Sequence, residues 1–329
     1  MNHPSIDKDQ VKGIKPELIA MALEAGFCRA RILAPYTIVS RPEILFDQPR
    51  ETTRYGEGAP SAIVVALAYG NDDPDKRDPA KPDMLYLPGG KSDADGEPQA
   101  RLDLFSRRNY YAEAVKRLKA LSLRARRSWG GAKSDYRILC NSPIPEKPLA
   151  LACGLGCLGR NTLIMTPEAG SLVVIAAMTL PFTLPPDPPM EDLPTSTVCL
   201  TCHACVDSCP VAALDGEGNL DRARCLQWYA SRPGDIPVEI ADSWGDILYG
   251  CSVCRDACPA NQNTIEGVAS DIGPLPESFR AKDLIAMSDD QLRALFKGSA
   301  LGMSWFGPQA IRRNAALVLN ARTTWMGGK

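Results

Sequence analysis

Apolar and polar positions in the first third of the chain predict helices that alternate with buried strands. Between residues 11 and 27, apolar side chains recur at helical spacing as far as Ala25, and Gly26 comes directly after it. This pattern predicts a helix that ends at the glycine. Short apolar runs at 31–33 and 62–69 predict two strands, of which the second is buried. Residues 105–127 then predict a basic helix.

The rest of the chain predicts a second set of elements, a linker and a helical tail. Residues 70–100 are polar and rich in Pro, Gly and Asp, and we expect at least part of them to be disordered, the alternative being a functional lid. The pattern beyond them predicts one helix, at 146–153, and three strands, at 136–139, 162–165 and 173–178. The proline-rich residues 181–197 predict an extended linker that marks a domain boundary. The tail predicts two helices, one with a Ser288–Gln291 capping box and one that starts at Pro308.

Composition and charge narrow the possible chemistry. The chain of 329 residues has a formal net charge of −2, from 37 basic and 39 acidic residues, which gives no whole-molecule electrostatic reason for binding nucleic acid. It has 12 Cys but only two His, His3 and His203, which excludes a Ser-His-Asp triad, a His-rich zinc site and a facial His triad. The chemistry must therefore come from cysteine, tyrosine, carboxylate or a cofactor.

The N-terminus and the apolar runs indicate the compartment. Residues 1–10 are polar and show no signal-peptide pattern, and no apolar run reaches the ~18 residues of a membrane helix. These features predict a cytoplasmic protein without a membrane partner, in which thiols stay reduced. Clustered cysteines in that setting indicate metal ligation rather than disulfides.

Eight cysteines form two groups with the spacing of iron–sulfur ligands. The first group has the C-x2-C-x2-C-x3-C-P spacing that wraps a [4Fe–4S] cluster, and in two-cluster ferredoxins its fourth Cys ligates the other cluster. The second group lacks its first Cys, and Cys225 is a plausible replacement from upstream. The expected ligands are Cys199, Cys202, Cys205 and Cys258 for the first cluster, and Cys209, Cys225, Cys251 and Cys254 for the second. A zinc ribbon is the alternative, although tetrahedral zinc sites do not explain two interleaved Cys-Pro runs.

The four remaining cysteines include three near a glycine-rich turn. We expect Cys28 to be a small buried apolar residue, whereas Cys140, Cys153 and Cys157 fall within 18 residues of one another. The glycines of the turn, at 154, 156 and 159, permit close approach of the backbone to a ligand. The order of helix, turn and strand does not match the dinucleotide-binding fingerprint.

These motifs together resemble a known family. The segment NSPIPEKPLALACGLGCLGRNTLIMTPEAGS, the first ferredoxin run, the isolated Cys225 and the segment YGCSVCRDACPAN are similar to the epoxyqueuosine reductases. They also resemble the relatives of those enzymes, the cobalamin-dependent reductive dehalogenases. The resemblance extends from GFCRARILAP near residue 26 to RRNAALVLNA near residue 320.

The resemblance implies an α/β (α+β) architecture in three parts. We expect a nitroreductase-like, corrinoid-binding domain with the substrate site at 1–184, a bacterial ferredoxin-like domain with two [4Fe–4S] clusters at 185–270, and a short helical segment at 271–329. An external donor such as ferredoxin or flavodoxin would feed electrons through the clusters to a cobalamin whose cobalt has no His ligand. The residues expected to lie against the corrin are Gly154, Gly156, Gly159, Arg160 and Asn161, with Cys157 where the family usually has Trp.

Two departures from the epoxyqueuosine reductases change the expected acid and substrate. Cys140 occupies the position, six residues before Glu146, at which those enzymes have a proton-donating Asp, and their Arg-Asp-Tyr-His stretch is RNYY here. We therefore expect Cys140, Tyr110 or Tyr111 to supply the proton. Because the acids differ and the tRNA-binding helices look truncated, we expect a reductase of a small molecule and disfavour tRNA. Two alternatives stay open: an epoxyqueuosine reductase acting on tRNA, and a non-catalytic electron carrier or activator of another corrinoid protein.

Overall fold

The described part of the chain forms two compact units. A computed structural model describes residues 8–34, 61–69, 96–142, 144–190, 199–262 and 275–321. The first unit contains the described residues within 8–69, 111–202 and 260–262, and the second contains those within 96–110, 203–259 and 275–321. Each unit therefore combines segments that are distant in sequence.

Helices and short strands alternate along the described residues. The helices are α1 (Lys8–Glu24), α2 (Tyr110–Trp129), α3 (Glu146–Ala152), α4 (Ala204–Asp207), α5 (Leu226–Ala230), α6 (Val238–Ala241), α7 (Val253–Asp256), α8 (Ala281–Ala286), α9 (Asp289–Phe296) and α10 (Pro308–Asn320). The strands are β1 (Arg29–Leu33), β2 (Ser61–Ala68), β3 (Gln99–Leu102), β4 (Ile138–Leu139), β5 (Cys157–Leu158), β6 (Ile164–Met165), β7 (Val173–Leu180), β8 (Ile247–Tyr249) and β9 (Ser278–Arg280). The predicted mixed fold class with a helical tail is confirmed.

The first unit is built on a four-stranded antiparallel sheet in the order β1–β2–β7–β4. β2 pairs with β7 over its whole length, from Ser61 opposite Leu180 to Ala68 opposite Val173. The side chains of residues 63–68 are completely buried, which explains why this strand has an unbroken apolar run instead of alternating polar positions. α1 packs against β1, and α3 packs against β7 and β2.

The second unit surrounds a three-stranded sheet in the order β8–β3–β9, in which β3 is parallel to β8 and antiparallel to β9. Its apolar core includes Trp244 and Leu248, both completely buried. α10 packs against α8 and β8. Cys209, Cys225 and Cys251 pack against this core, so the core of the second unit positions candidate ligands.

Most predicted elements lie close to their expected bounds. α1 ends before Gly26, whose φ of 86° lies in the left-handed region that favours glycine. The basic helix begins at Tyr110 rather than at residue 105. Asp103 accepts a hydrogen bond from the Phe105 N–H and so caps a separate 3-10 turn, Leu104–Ser106, ahead of the helix.

Some elements and segments differ from the prediction. β3, β9 and α8 are short elements that the hydrophobic pattern did not predict. Residues 181–190 are not a free linker, because the Leu184 N–H donates to the Ser61 Oγ and the Asp187 N–H donates to the Ile32 carbonyl, both at 2.9 Å.

Four other predictions are not decided by these elements. The predicted disorder of residues 70–95 and the second part of the linker, residues 191–197, lie outside the described residues. The domain boundaries at 184 and 270 stay predictions. Of the described helices, none is long and apolar enough to cross a lipid bilayer, and the cytoplasmic location stays a prediction.

Candidate functional site

The four thiols expected to hold the second cluster all belong to the second unit. Cys225 is the N-cap residue of α5, Cys251 follows β8, and Cys254 lies in α7. The side-chain oxygen of Gln227, in α5, accepts a hydrogen bond of 3.1 Å from the Cys251 N–H. This bond connects the isolated Cys225 segment to the second cysteine run.

The sulfur of Cys209, the fourth member of this set, accepts a hydrogen bond of 3.3 Å from the Ala213 N–H. Hydrogen bonds to the ligand sulfurs are a regular feature of iron–sulfur sites. Thiolate is the form that ligates metal. The local backbone therefore supports ligation by Cys209.

Burial and mutual repulsion raise the pKa values of these thiols. Burial, together with negative charge on Cys225 and Cys209, raises the pKa of Cys251 to about 11, and burial together with charge on Cys251, Cys225 and Cys209 raises that of Cys254 to about 12. The pKa of Cys225 is likewise raised by burial and by Cys209. A positively charged centre would offset this repulsion and bind these cysteines as thiolates. The set fits an iron–sulfur cluster that is held by four cysteine thiolates.

A buried ion pair anchors α7, the helix that carries Cys254. The guanidinium of Arg255 donates to both carboxylate oxygens of Asp103, with 2.9 Å from Nη1 to Oδ2 and a second bond from Nη2 to Oδ1. The two side chains are only 7% and 2% exposed, so loss of either partner would leave an uncompensated buried charge. Gly250 allows this approach, because a Cβ there would collide with the Cβ of Asp103.

The four thiols expected to hold the first cluster are divided between the units. Cys199 and Cys202 belong to the first unit, and Cys205 and Cys258 to the second, where both are buried. Among the residues that the structure describes, no three His, Cys, Asp or Glu side chains are arranged to hold a single metal ion. In a [4Fe–4S] cluster each thiolate binds a different iron, so the ligands are spread more widely. The assignment of the eight cysteines to two clusters stays a prediction.

Cys140, the candidate proton donor, lies directly after β4 in the first unit and is half-buried. Its thiol donates a hydrogen bond to the Tyr111 carbonyl oxygen, 3.8 Å from Sγ. Burial raises the pKa of this thiol to about 12, and the charge of Glu146 contributes to that rise. Cys140 is therefore a protonated thiol at neutral pH.

Glu146 is a site residue that the sequence analysis used only as a landmark. It is the first residue of α3, and its Oε1 accepts a hydrogen bond of 3.4 Å from the Ser142 N–H. Burial raises its pKa, while the backbone N–H groups of Asn141 and Ser142 act in the opposite direction. Asn141, with a φ of 49°, lies in a bend between Cys140 and Glu146. Cys140 and Glu146 both have raised pKa values, which makes them candidates for acid–base chemistry. Both values are raised mainly by burial, which cannot be read from the sequence.

The two candidate tyrosines are adjacent in α2, and adjacent residues of a helix do not face each other. Tyr110 belongs to the second unit and is only 1% exposed. Tyr111 belongs to the first unit, as Cys140 does, and is half-buried. The backbone carbonyl of Tyr111 contacts the Cys140 thiol, whereas the Tyr110 side chain is buried. Their roles as proton donors stay predictions.

The glycine-rich turn is a hairpin of β5 and β6 whose glycines are required by packing within the protein. A Cβ on Gly156 would lie 2.5 Å from the Met165 carbonyl oxygen, and one on Gly159 would lie 2.5 Å from the Met165 sulfur. A Cβ on Gly154, whose φ is 65°, would collide with the Pro188 carbonyl oxygen. These contacts explain why glycine is needed at the three positions without any close approach of a ligand. Contact with a corrin stays a prediction.

The other three residues predicted to lie against the corrin also belong to this hairpin. Asn161 is buried, and its Oδ1 accepts a hydrogen bond of 3.2 Å from a backbone N–H two residues further on. Arg160 donates from Nε to the Cys199 carbonyl oxygen (2.6 Å) and from Nη2 to the Leu200 carbonyl oxygen (3.2 Å). Cys157 is half-buried in β5. Arg160 therefore contacts the segment of the first cysteine run.

Comparison with known proteins assigns the family. Residues 198–261 match the model of the 4Fe-4S double cluster binding domain, and this range contains all eight predicted ligands. The epoxyqueuosine reductase of Pseudomonas aeruginosa is 32% identical over 250 residues, which cover 73% of this chain and 67% of that protein. The chain belongs to the epoxyqueuosine reductase family. The Bacillus subtilis epoxyqueuosine reductase is 34% identical over 178 residues, which cover 54% of this chain but only 44% of that protein.

Solved structures of this family have the same fold. An epoxyqueuosine reductase determined with an epoxyqueuosine-modified tRNA-Tyr stem loop is 25% identical, with a TM-score of 0.74, and the match covers 94% of this chain and 81% of that one. The Bacillus subtilis epoxyqueuosine reductase, determined with its catalytic aspartate loop swung out of the active site, is 26% identical, with a TM-score of 0.71. That match covers 94% of this chain and 82% of that one.

The comparisons confirm some predictions and correct one. The predicted pair of [4Fe–4S] clusters is confirmed by the family model. The predicted enzyme class, an oxidoreductase, and the predicted use of cobalamin agree with membership of this reductase family. The prediction that disfavoured tRNA is wrong, because a family member with this fold was solved with a tRNA stem loop.

Proposed function

We propose that this protein reduces epoxyqueuosine to queuosine in tRNA, with electrons passed through two [4Fe–4S] clusters to cobalamin. The observation that carries the proposal is the 32% identity to the Pseudomonas aeruginosa epoxyqueuosine reductase over 67% of that protein. The tRNA stem loop bound by a family member of the same fold supports an RNA substrate rather than a free small molecule.

The reaction determines what the clusters must deliver. Conversion of an epoxide to an alkene removes one oxygen as water and requires two electrons and two protons. Two clusters of low potential suit a pair of one-electron transfers. The proposed second cluster would be held by Cys209, Cys225, Cys251 and Cys254, whose grouping in the second unit supports this assignment.

Cobalamin, when bound, supplies a strongly reducing and nucleophilic metal centre. We expect the hairpin of β5 and β6, residues 154–161, to hold it. The groups in and near this hairpin are backbone amides, the Asn161 carboxamide and the Cys157 thiol. Such hydrogen-bonding groups would suit a corrinoid, whose rim carries amide side chains.

Proton supply falls to the pair of Cys140 and Glu146. The Cys140 thiol keeps its proton at neutral pH, because burial and the Glu146 charge raise its pKa to about 12. Burial also raises the pKa of Glu146, and this carboxyl is the group that we propose to pass a proton to Cys140 after the transfer. The pair would replace the single Asp that the family resemblance places at residue 140.

Expression in a bacterium that lacks its own epoxyqueuosine reductase tests the proposal. Wild-type protein is expected to convert epoxyqueuosine to queuosine, as measured by mass spectrometry of nucleosides from digested tRNA. Cys225→Ala removes a proposed ligand and is expected to abolish conversion, whereas Cys28→Ala, outside both ligand sets, is expected to preserve it. Epoxyqueuosine that persists beside folded, iron-loaded wild-type protein would contradict the proposal.

A further inference from the structure

Two polar contacts within the first unit involve the two segments next to Cys199 and Cys258. In the first contact, Arg160 donates from Nε to the Cys199 carbonyl oxygen at 2.6 Å and from Nη2 to the Leu200 carbonyl oxygen at 3.2 Å. Two bonds from one planar guanidinium fix both the position and the orientation of the peptide they contact. The segment that begins the first cysteine run is therefore attached to the hairpin of β5 and β6.

The second contact involves Asn261, three residues after Cys258. Its Oδ1 accepts a hydrogen bond of 2.8 Å from the Ser171 N–H, and its Nδ2 donates to the Ser171 Oγ at 2.9 Å. The amide of Asn261 thus uses both its acceptor and its donor on one residue. Gly170 makes the approach possible, because a Cβ there would collide with the Asn261 Oδ1 and lie 2.7 Å from the Ala260 carbonyl oxygen.

Both anchors belong to one short stretch of the first unit, residues 160–171. Arg160 lies in the hairpin, and Ser171 follows the tight turn that comes directly after β6. That turn is closed by the Thr166 N–H to Gly170 carbonyl bond, 2.8 Å, and the reverse bond, 3.0 Å. The contacts to both cysteine-bearing segments therefore come from the hairpin that we expect to contact cobalamin and from the turn that follows it.

We propose that Arg160 and Asn261 are positioning residues for the first cluster: Arg160 attaches the Cys199 segment to the hairpin of β5 and β6, and Asn261 attaches the segment after Cys258 to Ser171, beyond that hairpin. The inference rests on the proposed function for the assignment of Cys199 and Cys258 to one cluster. It gives Arg160 a role in cluster placement, in addition to or instead of the corrin contact expected from sequence. Mutation of residues that hold metal ligands in place typically lowers metal affinity by roughly 10- to 100-fold.

Iron release from the fully loaded protein tests the inference without any turnover. Purified protein with both clusters is mixed with an excess of an iron chelator, and the two kinetic phases of iron loss are compared between variants. Arg160→Lys keeps the charge but loses the planar fork, and we expect it to speed the loss of half the iron by about 10- to 100-fold. The other half is expected to leave at the wild-type rate, because the second cluster does not use this contact.

Arg117→Lys is the matched control, since Arg117 also donates to a backbone carbonyl, that of Ala25 at 2.8 Å, far along the chain from every cysteine of the two runs. Its iron loss is expected to follow wild type. Asn261→Ala provides a second, independent variant, and we expect it to affect the same half of the iron. Electron paramagnetic resonance of the reduced protein identifies which cluster is lost.

The outcomes separate the inference from the proposed function. Wild-type release rates in both Arg160→Lys and Asn261→Ala, or equal acceleration of both halves of the iron, would overturn it. If the protein failed to reduce epoxyqueuosine, the selective loss of one cluster would still support the positioning role, because chelation requires no substrate and no cobalamin.

Discussion

At the scale of single residues, the group at position 140 changes the acid–base character of the site. A carboxylic acid in water loses its proton near pH 4, whereas burial and Glu146 raise the pKa of the Cys140 thiol to about 12. The folded protein therefore holds this proton more tightly than the unfolded chain does. The contribution of Cys140 to stability is accordingly complete below pH 9 and is lost as the pH rises from 9.0 towards 12.

Alkylation measures this property directly. Raising a thiol pKa from 9.0 to about 12 lowers the thiolate fraction at pH 8 about a thousandfold. Cys140 in the folded protein should therefore react with iodoacetamide at least that much more slowly than in the unfolded chain, as followed by mass spectrometry of its peptide. Glu146→Gln is expected to speed the reaction, because the Glu146 charge contributes to the raised pKa. Glu17→Gln, on an exposed residue, should leave it unchanged. Equal rates in folded and unfolded wild type would refute the assignment.

Sequence alone identified Cys140 but not its chemistry. The position was found by counting from a motif, and a cysteine there was equally compatible with a structural thiol or an acid. The burial of the thiol depends on tertiary packing, and the segment between Cys140 and Glu146 bends at Asn141, whose φ is 49°. A left-handed backbone at a non-glycine residue has no periodic signature in the sequence.

At the scale of elements, the sequence predicted the glycine-rich turn correctly but not the reason for its glycines. The sequence predicted a glycine-rich turn before a strand, and the hairpin of β5 and β6 is there. The glycines are needed because neighbouring atoms of the same protein fill the space of their Cβ atoms. Contacts of this kind depend on tertiary packing, so spacing along the chain cannot distinguish them from a ligand cradle.

A glycine substitution tests this explanation. Gly156→Ala would place a Cβ 2.5 Å from the Met165 carbonyl oxygen, so we expect a loss of about 1–3 kcal/mol in the free energy of unfolding. Gly13→Ala is the matched control in α1, where nothing lies within 4 Å of the new Cβ, and it should gain up to about 1 kcal/mol from helix propensity. Urea titration measures both. A neutral Gly156→Ala would show that the hairpin adapts easily.

The C-terminal helix α10 connects two other elements of the second unit, which the hydrophobic pattern did not predict. Its Asn314 is completely buried and donates from Nδ2 to the Ala230 carbonyl at 3.0 Å and the Leu248 carbonyl at 2.8 Å. Ala230 lies in α5, which follows Cys225, and Leu248 lies in β8, which precedes Cys251. The amide therefore holds together two segments that carry candidate ligands of the second cluster.

Removal of this amide should weaken both the fold and the cluster. Asn314→Ala leaves two buried carbonyls without their donor, at a cost of roughly 1–3 kcal/mol for each unsatisfied group. We expect a lower urea midpoint and a reduced iron content. Asn320→Ala, exposed in the same helix, should change the free energy of unfolding by less than about 0.5 kcal/mol. Similar effects of the two substitutions would argue against the clamp.

At the scale of the whole molecule, the sequence predicted the cofactors better than the partner. Metal ligands of this kind recur at fixed spacing, and the two cysteine runs therefore located the double cluster domain without any structure. The compact units could not be predicted in the same way, because each combines distant segments and the first cysteine run is divided between them. Net charge could not be used to predict whether the protein binds RNA, since a formal charge of −2 does not describe any local surface.

The central claim is that this chain removes the epoxide oxygen from a modified nucleoside within tRNA. The most direct measurement uses anaerobically purified protein, loaded with iron, sulfide and cobalamin and supplied with a low-potential reductant, and an anticodon stem loop that carries epoxyqueuosine. Mass spectrometry should then show a product lighter by one oxygen atom, with no conversion by the Cys225→Ala variant. An unchanged stem loop in the presence of fully loaded protein, or conversion of the free nucleoside but not of the stem loop, would contradict the account.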